Sequence, residues 1–194
     1  MEFCEGVLVI PDAWSKGRGA VSSSGFLVLE TGQVFPGQWL GGQERAGEVV
    51  FNTGHSGYQE MATDPSYYSQ ILVTTAPMQG NYGVSSNSME SERVWIQGFV
   101  CVQFQKSSRE SGWYQELETS NVPMLSEVDT RSLTLTLRSQ GTTWGALVCV
   151  SDEAVARQRA MTLISEQKQE PLDWVAQVSR NSTQTILGDQ TSGP

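Results

Sequence analysis

The stretch Gly47-Glu48-Val49-Val50-Phe51-Asn52-Thr53-Gly54-His55-Ser56-Gly57-Tyr58-Gln59-Glu60-Met61-Ala62-Thr63-Asp64-Pro65-Ser66-Tyr67-Tyr68-Ser69-Gln70-Ile71 organises this chain. Its β-forming start, Glu48 to Phe51, runs into a polar loop punctuated by Gly54 and Gly57. Asp64-Pro65-Ser66-Tyr67 reads as a turn, because Pro65 presets φ and the Asp64 carboxylate accepts backbone N–H bonds. Asn52, Thr53, Ser56, Gln59, Thr63, Ser66 and, farther on, Asn81 offer neutral donors and acceptors with no basic residue among them. That set suits a polar neutral or zwitterionic ligand better than a phosphate. Such side chains satisfy loop backbones far more often than they bind ligands, so on chemistry alone this loop reads as structural.

Working outward, further strands are expected at Phe26 to Leu29, Val34-Phe35, Gln70 to Thr74, Val94 to Phe104 and Ala146 to Val150. Glu30-Thr31-Gly32-Gln33 between the first two reads as a hairpin turn. Gly98, inside an otherwise β-forming run, marks a bulge or a close backbone approach. Asp129 is placed to cap a helix over Thr130 to Gln140, with Leu133 and Leu137 one turn apart and Gly141 after its end. Asp152 caps a second helix, Glu153 to Gln167, whose Ala156, Ala160, Leu163 and Ile164 share one face. Gly112 to Thr119 reads as a shorter third helix. Early strands and later helices imply an α/β or α+β domain. Gly/Ser clusters mark residues 1–25 as a flexible extension. A polar tract without apolar period marks 179–194 as linker or tail. The organised domain is therefore expected over residues 26–178.

Composition narrows the chemistry. The chain has 194 residues, 12 Lys+Arg and 21 Asp+Glu, hence a formal charge of −9. The acidic balance and the lack of a basic block argue against a nucleic-acid partner. No apolar run approaches the ~20 residues of a membrane-spanning helix, and Met1-Glu2-Phe3-Cys4-Glu5 lacks the cations of a secretory signal. Those readings place the chain in the cytoplasm with no membrane partner. The three cysteines, Cys4, Cys101 and Cys149, are far apart, and His55 is the single histidine. No metal-ligand spacing exists, so neither a metal nor another cofactor is expected. Cys101 and Cys149 lie in apolar strand runs, where an inert buried thiol is the default. His55 reads as a plain loop histidine.

Several motifs in this order and spacing carry a resemblance. Gly47 to Thr53, Gly57-Tyr58-Gln59-Glu60, Thr63-Asp64-Pro65-Ser66-Tyr67, Gln70-Ile71 and Gly80-Asn81-Tyr82-Gly83 form the first group. Gln97-Gly98-Phe99-Val100, Val128-Asp129-Thr130-Arg131-Ser132-Leu133-Thr134, Gly141-Thr142 and Gly145 continue it. Together they resemble the N-terminal domain of the small, glutamine-hydrolysing subunit of carbamoyl-phosphate synthetase. The resemblance covers about residues 26–150 and extends toward 178. It implies a swivelling β/β/α-type α/β domain.

The resemblance also implies a function. In that family a second, class I amidotransferase domain carries a Cys nucleophile in a Gly-x-Cys-x-Gly elbow and a His-Pro-Glu. Ammonia from glutamine passes to the large subunit and joins bicarbonate and ATP to give carbamoyl phosphate for pyrimidine and arginine synthesis. The domain resembled here packs on the amidotransferase domain and contacts the large subunit, which are the implied partners. The Ser of Thr-Asp-Pro-Ser-Tyr helps bind glutamine, which carries over to Ser66 in the assembled site only. No catalytic residue carries over: the 194 residues hold neither the elbow nor His-Pro-Glu, so the chain is expected to lack the catalytic half and to be inactive alone. Ala76-Pro77-Met78-Gln79 replaces a common Tyr-Pro-His-Ile, Gln105 to Glu118 matches poorly, and Leu135 stands where Arg is frequent. These departures motivate an alternative reading as a stand-alone interaction module.

Overall fold

The computed structural model describes residues 23–105, 107, 112–170, 173–179 and 182–183. Strand β1 (Ser23–Leu29) turns through Gly32, φ +87°, into β2 (Val34–Gly41). The hairpin is closed by Leu29 N donating to Gln33 O at 2.8 Å and Gly32 N to Leu29 O at 2.8 Å, as the Gly-containing turn predicts. β3 (Arg45–Asn52) leads through helix α1 (Tyr58–Thr63) and a 3-10 turn, Pro65–Tyr67, to β4 (Gln70–Thr74). β5 (Met78–Gln79), β6 (Gly98–Val100), β7 (Gln103–Phe104), α2 (Trp113–Thr119) and β8 (Met124–Ser126) follow. The chain then forms α3 (Thr130–Gln140), β9 (Thr143–Val148), α4 (Glu153–Gln169) and α5 (Trp174–Val178).

Seven strands close into a barrel in the order β1-β2-β8-β6-β4-β3-β9. Pairings β3/β4, β4/β6 and β6/β8 are parallel, and the other four are antiparallel. The fold is thus mixed α/β. Side-chain alternation divides the apolar residues between an inner and an outer layer. Leu27, Leu29, Val49, Ile71, Val73, Val100, Leu125 and Leu147 fill the interior, closed at one end by Leu133 and Leu137 of α3. Their strand neighbours Phe26, Val28, Ala146 and Val148 meet Ala156, Ala160 and Ile164 of α4 outside. On the parallel side, Leu72, Phe99 and Met124 meet Tyr58, Ala62, Trp113 and Leu117 of α1 and α2. Burial on both faces explains the unbroken Ile71-Leu72-Val73 run.

The capped helices form as expected. The Asp129 carboxylate accepts from Ser132 N at 2.9 Å and Asp152 from Val155 N at 2.9 Å, while Gly141 adopts φ +79°. Gly98 is a point of close approach: a Cβ there would lie 2.4 Å from Leu147 Cδ1.

Four expectations need correction. The run Val94 to Phe104 is not one strand: only Gly98–Val100 joins the barrel, and Gln103–Phe104 pairs with Met78–Gln79 in a separate two-stranded sheet. The break falls where Cys101 N donates to Leu125 O and Cys101 O and Val102 O accept from Val128 N and Glu127 N, which turns the chain away from the barrel. β2 runs on to Gly41, β9 spans Thr143–Val148 instead of Ala146 to Val150, and β8 is a strand that no sequence pattern marked. Ser23, Ser24 and Gly25, expected in the flexible extension, are paired with Trp39, Gln38 and Gly37. The rest of that extension, Cys4 included, and most of the expected tail lie outside the described residues.

Candidate functional site

The polar loop after β3 and the turn before β4 form one braced unit. Asn52, at the end of β3, accepts from Gly54 N at 2.7 Å and donates through Nδ2 to the Tyr67 hydroxyl at 3.0 Å. Gly57, in the left-handed region, donates to the Tyr82 hydroxyl at 2.6 Å, and the Tyr58 hydroxyl donates to Gly83 O at 2.6 Å. The Tyr58 and Tyr82 rings stack with centroids 4.2 Å apart. Gln59 holds Ser85 by both backbone groups at 2.9 and 2.8 Å. The Thr63 hydroxyl donates to Gln59 O at 2.8 Å and accepts from Glu90 N at 3.0 Å. Three of the polar residues that looked available to a ligand, Asn52, Gln59 and Thr63, are therefore engaged in holding backbone.

Ser66 is different. The Asp64 carboxylate accepts from Ser66 N at 2.8 Å, Pro65 opens the 3-10 turn, and Tyr67 N donates to Asp64 O at 3.0 Å. The Ser66 side chain is exposed, and among the described residues its hydroxyl has no hydrogen-bond partner. The result is a hydroxyl presented by a fixed backbone. Tyr68, next in the chain, meets Trp95 edge-on at 5.7 Å and Trp174 of α5 at 5.6 Å, so an aromatic tier backs the turn. The Arg93 guanidinium lies 3.8 Å over the Trp95 ring. These braces were not singled out from the sequence, although Tyr58, Tyr67, Tyr68 and Tyr82 crowding into a polar region was a visible signal.

The remaining chemical groups stand apart. Cys101 is fully buried, and burial pushes its thiol well above the ordinary range, which makes it a poor nucleophile. Cys149 is also buried, and its backbone N–H donates to the Glu44 carboxylate at 2.8 Å. His55 is exposed in the loop. Among the described residues no group of three or more His, Cys, Asp or Glu is arranged to hold a metal, and no helix is long and apolar enough to cross a membrane.

Residues 27–147 match the family described as carbamoyl-phosphate synthase small chain, CPSase domain. The chain belongs to that family. The small chain of Caldanaerobacter subterraneus is 43% identical over 128 residues, covering 63% of this chain and 36% of that protein. The small chain of Methanopyrus kandleri is 41% identical over 165 residues, covering 79% and 44%. The pyrimidine-specific small chain of Halalkalibacterium halodurans is 41% identical over 164 residues, covering 81% and 43%. The chain thus spans less than half the length of these curated relatives. The family match takes in the whole braced unit, Ser66 included, and six of the seven barrel strands in full or nearly so, since β1 begins at Ser23 and β9 ends at Val148.

Proposed function

We propose that this chain is the N-terminal scaffold and docking domain of a glutamine-dependent carbamoyl-phosphate synthase small chain, working in the cytoplasm. The barrel flanked by helices agrees with the swivelling β/β/α type implied by the motif resemblance. The observation that carries the reading is the collinear family match over residues 27–147, laid on a barrel that presents the Ser66 hydroxyl from a braced turn. In this reading Ser66 supplies one hydrogen bond to glutamine held mainly by a class I amidotransferase domain. A pocket walled by only one of its two sides buries too little of a small ligand to hold it, so this domain alone does not retain glutamine. Nor are these residues expected to hydrolyse it, since Cys101 is sealed in the core and His55 stands exposed in a loop. The large subunit of the synthase, which makes carbamoyl phosphate for pyrimidine or arginine synthesis, is the proposed docking partner. Co-expression with a tagged large subunit tests this. Recovery of a stoichiometric complex supports the docking role, and consistent absence of one favours a stand-alone interaction module.

A further inference from the structure

We propose that the groove between the start of β3 and the C-terminal half of α4 binds an amino-acid zwitterion, its carboxylate on the Arg45 guanidinium and its ammonium on Glu166 and Glu170. The groove is open to solvent along one side and has a volume of about 360 Å³, within the size range of small-ligand sites, and Arg45, Gln97, Leu163, Glu166, Gln167 and Glu170 are among the residues lining it. Arg45 is partly buried, and its guanidinium makes one long contact, to Gln97 Oε1 at 3.4 Å. No described carboxylate forms an ion pair with it. Glu44, next to it in the chain, is already committed to Arg159 and to Cys149 N. Partial burial without a counter-charge lowers the Arg45 pKa by desolvation, with only the long Gln97 contact beside it. A guanidinium offers five donors in a planar fork, and a carboxylate is the group that fits it in bidentate fashion.

The facing wall decides the rest of the ligand. Glu166 on the last turns of α4 and Glu170, the extended residue that ends it, are both exposed, and neither has a cation partner among the described residues; Glu170 accepts only from Gln167 Nε2, at 3.0 Å. Two free carboxylates repel phosphate and polycarboxylates but attract an ammonium. Leu163 adds an apolar side chain to the lining, while the Gln97 amide already accepts from Arg45 and the Gln167 amide donates to Glu170. A molecule with one carboxylate, one ammonium and a short aliphatic body satisfies all of these groups together.

The test uses the full chain, isotope-labelled, titrated with 6-aminohexanoate, which carries one carboxylate and one ammonium at opposite ends of a short aliphatic chain, and followed by NMR. Saturable shifts in the millimolar range at the backbone amides of Arg45, Ala46 and Gln167 are expected. Arg45→Gln and the double variant Glu166→Gln/Glu170→Gln should each weaken binding at least about tenfold, as expected when a charge-assisted hydrogen bond is lost. Arg45→Lys, which keeps the charge without the fork, guards against a folding defect and should bind with intermediate affinity. Ser66→Ala should leave the titration unchanged, which separates this site from the proposed glutamine contact. Absence of saturable shifts, undiminished binding in Arg45→Gln, or acetate binding as tightly as 6-aminohexanoate would overturn the assignment.

Discussion

Gly98→Ala is the sharpest probe of how the barrel closes. Gly98 begins β6, and β6 pairs in parallel with β4 through Ile71↔Gly98. An added Cβ would lie 2.4 Å from Leu147 Cδ1 and 3.4 Å from Ile71 Cγ1. The first distance is impossible without movement, and Leu147 and Ile71 are both fully buried in the barrel interior. Leu147 can yield only by turning its side chain among neighbours that are themselves buried in the barrel interior, so the substitution should cost about 1–3 kcal/mol, the usual range for overpacking. Leu147→Ala removes the clashing methyl at its own cost of about 2.7–5 kcal/mol as a cavity-forming change. In the double variant the new Cβ enters that cavity, so the two losses should sum to less than their separate values by about 1–3 kcal/mol. Urea denaturation followed by tryptophan fluorescence on all four proteins measures the coupling. If Gly98→Ala costs nothing, or if its cost is the same with and without the Leu147 side chain, the reasoning is wrong and the strand does not approach β9 across the barrel as described.

Further expectations follow from individual groups. Asp129→Ala should destabilise by about 1 kcal/mol while Asp129→Asn costs far less, because Asn caps nearly as well; equal losses in thermal denaturation would show that the carboxylate charge matters instead of the cap. The Tyr114 hydroxyl, donating to Leu40 O at 2.9 Å, has its pKa raised to about 12 by burial and by Glu118. The folded chain therefore holds that proton where the unfolded chain, with a phenol near ~10, has lost it. Its stabilising contribution is intact below the unfolded value and is lost as pH rises through the folded one. Stability against pH, measured by denaturant titration, should fall less steeply in this window for Tyr114→Phe than for the parent. Cys101 should resist thiol reagents in the folded chain and react on unfolding, as mass mapping of labelled peptides can verify. Glutamate release from glutamine by the chain alone should not exceed background, and activity that vanishes in Cys101→Ala would refute the assignment of that thiol to the core.

Much of the fold could be read from local chemistry because local chemistry caused it. The β1–β2 hairpin turns at Gly32, and α3 starts and stops at Asp129 and Gly141, all within a few residues of their sequence signals. The misses are non-local. Met124–Ser126 is too short to show a period, and it is a strand only because β2 and β6 flank it. The break after Val100 in the apolar run of residues 94–104 depends on carbonyls answering to Val128 and Glu127, far along the chain. The turn that carries Ser66 was legible from Asp64-Pro65, whereas the commitment of Gln59 and Thr63 to Ser85 and Glu90 was not. Arg45 carried no signal at all, since a cation becomes noteworthy only when the folded chain leaves it without a counter-charge.

This domain should be able to stand in for the N-terminal domain of a working small chain. Fusing residues 23–178 to the amidotransferase domain of an active small chain, pairing the fusion with its large subunit and measuring glutamine-dependent carbamoyl phosphate synthesis tests it most directly. Glutamine-dependent activity should appear. Ser66→Ala should then raise KM for glutamine about 2- to 12-fold, matching the loss of one neutral hydrogen bond of about 0.5–1.5 kcal/mol, with little change in thermal stability. A folded fusion that supports synthesis from ammonia but not from glutamine, or an unchanged KM in Ser66→Ala, would contradict the account.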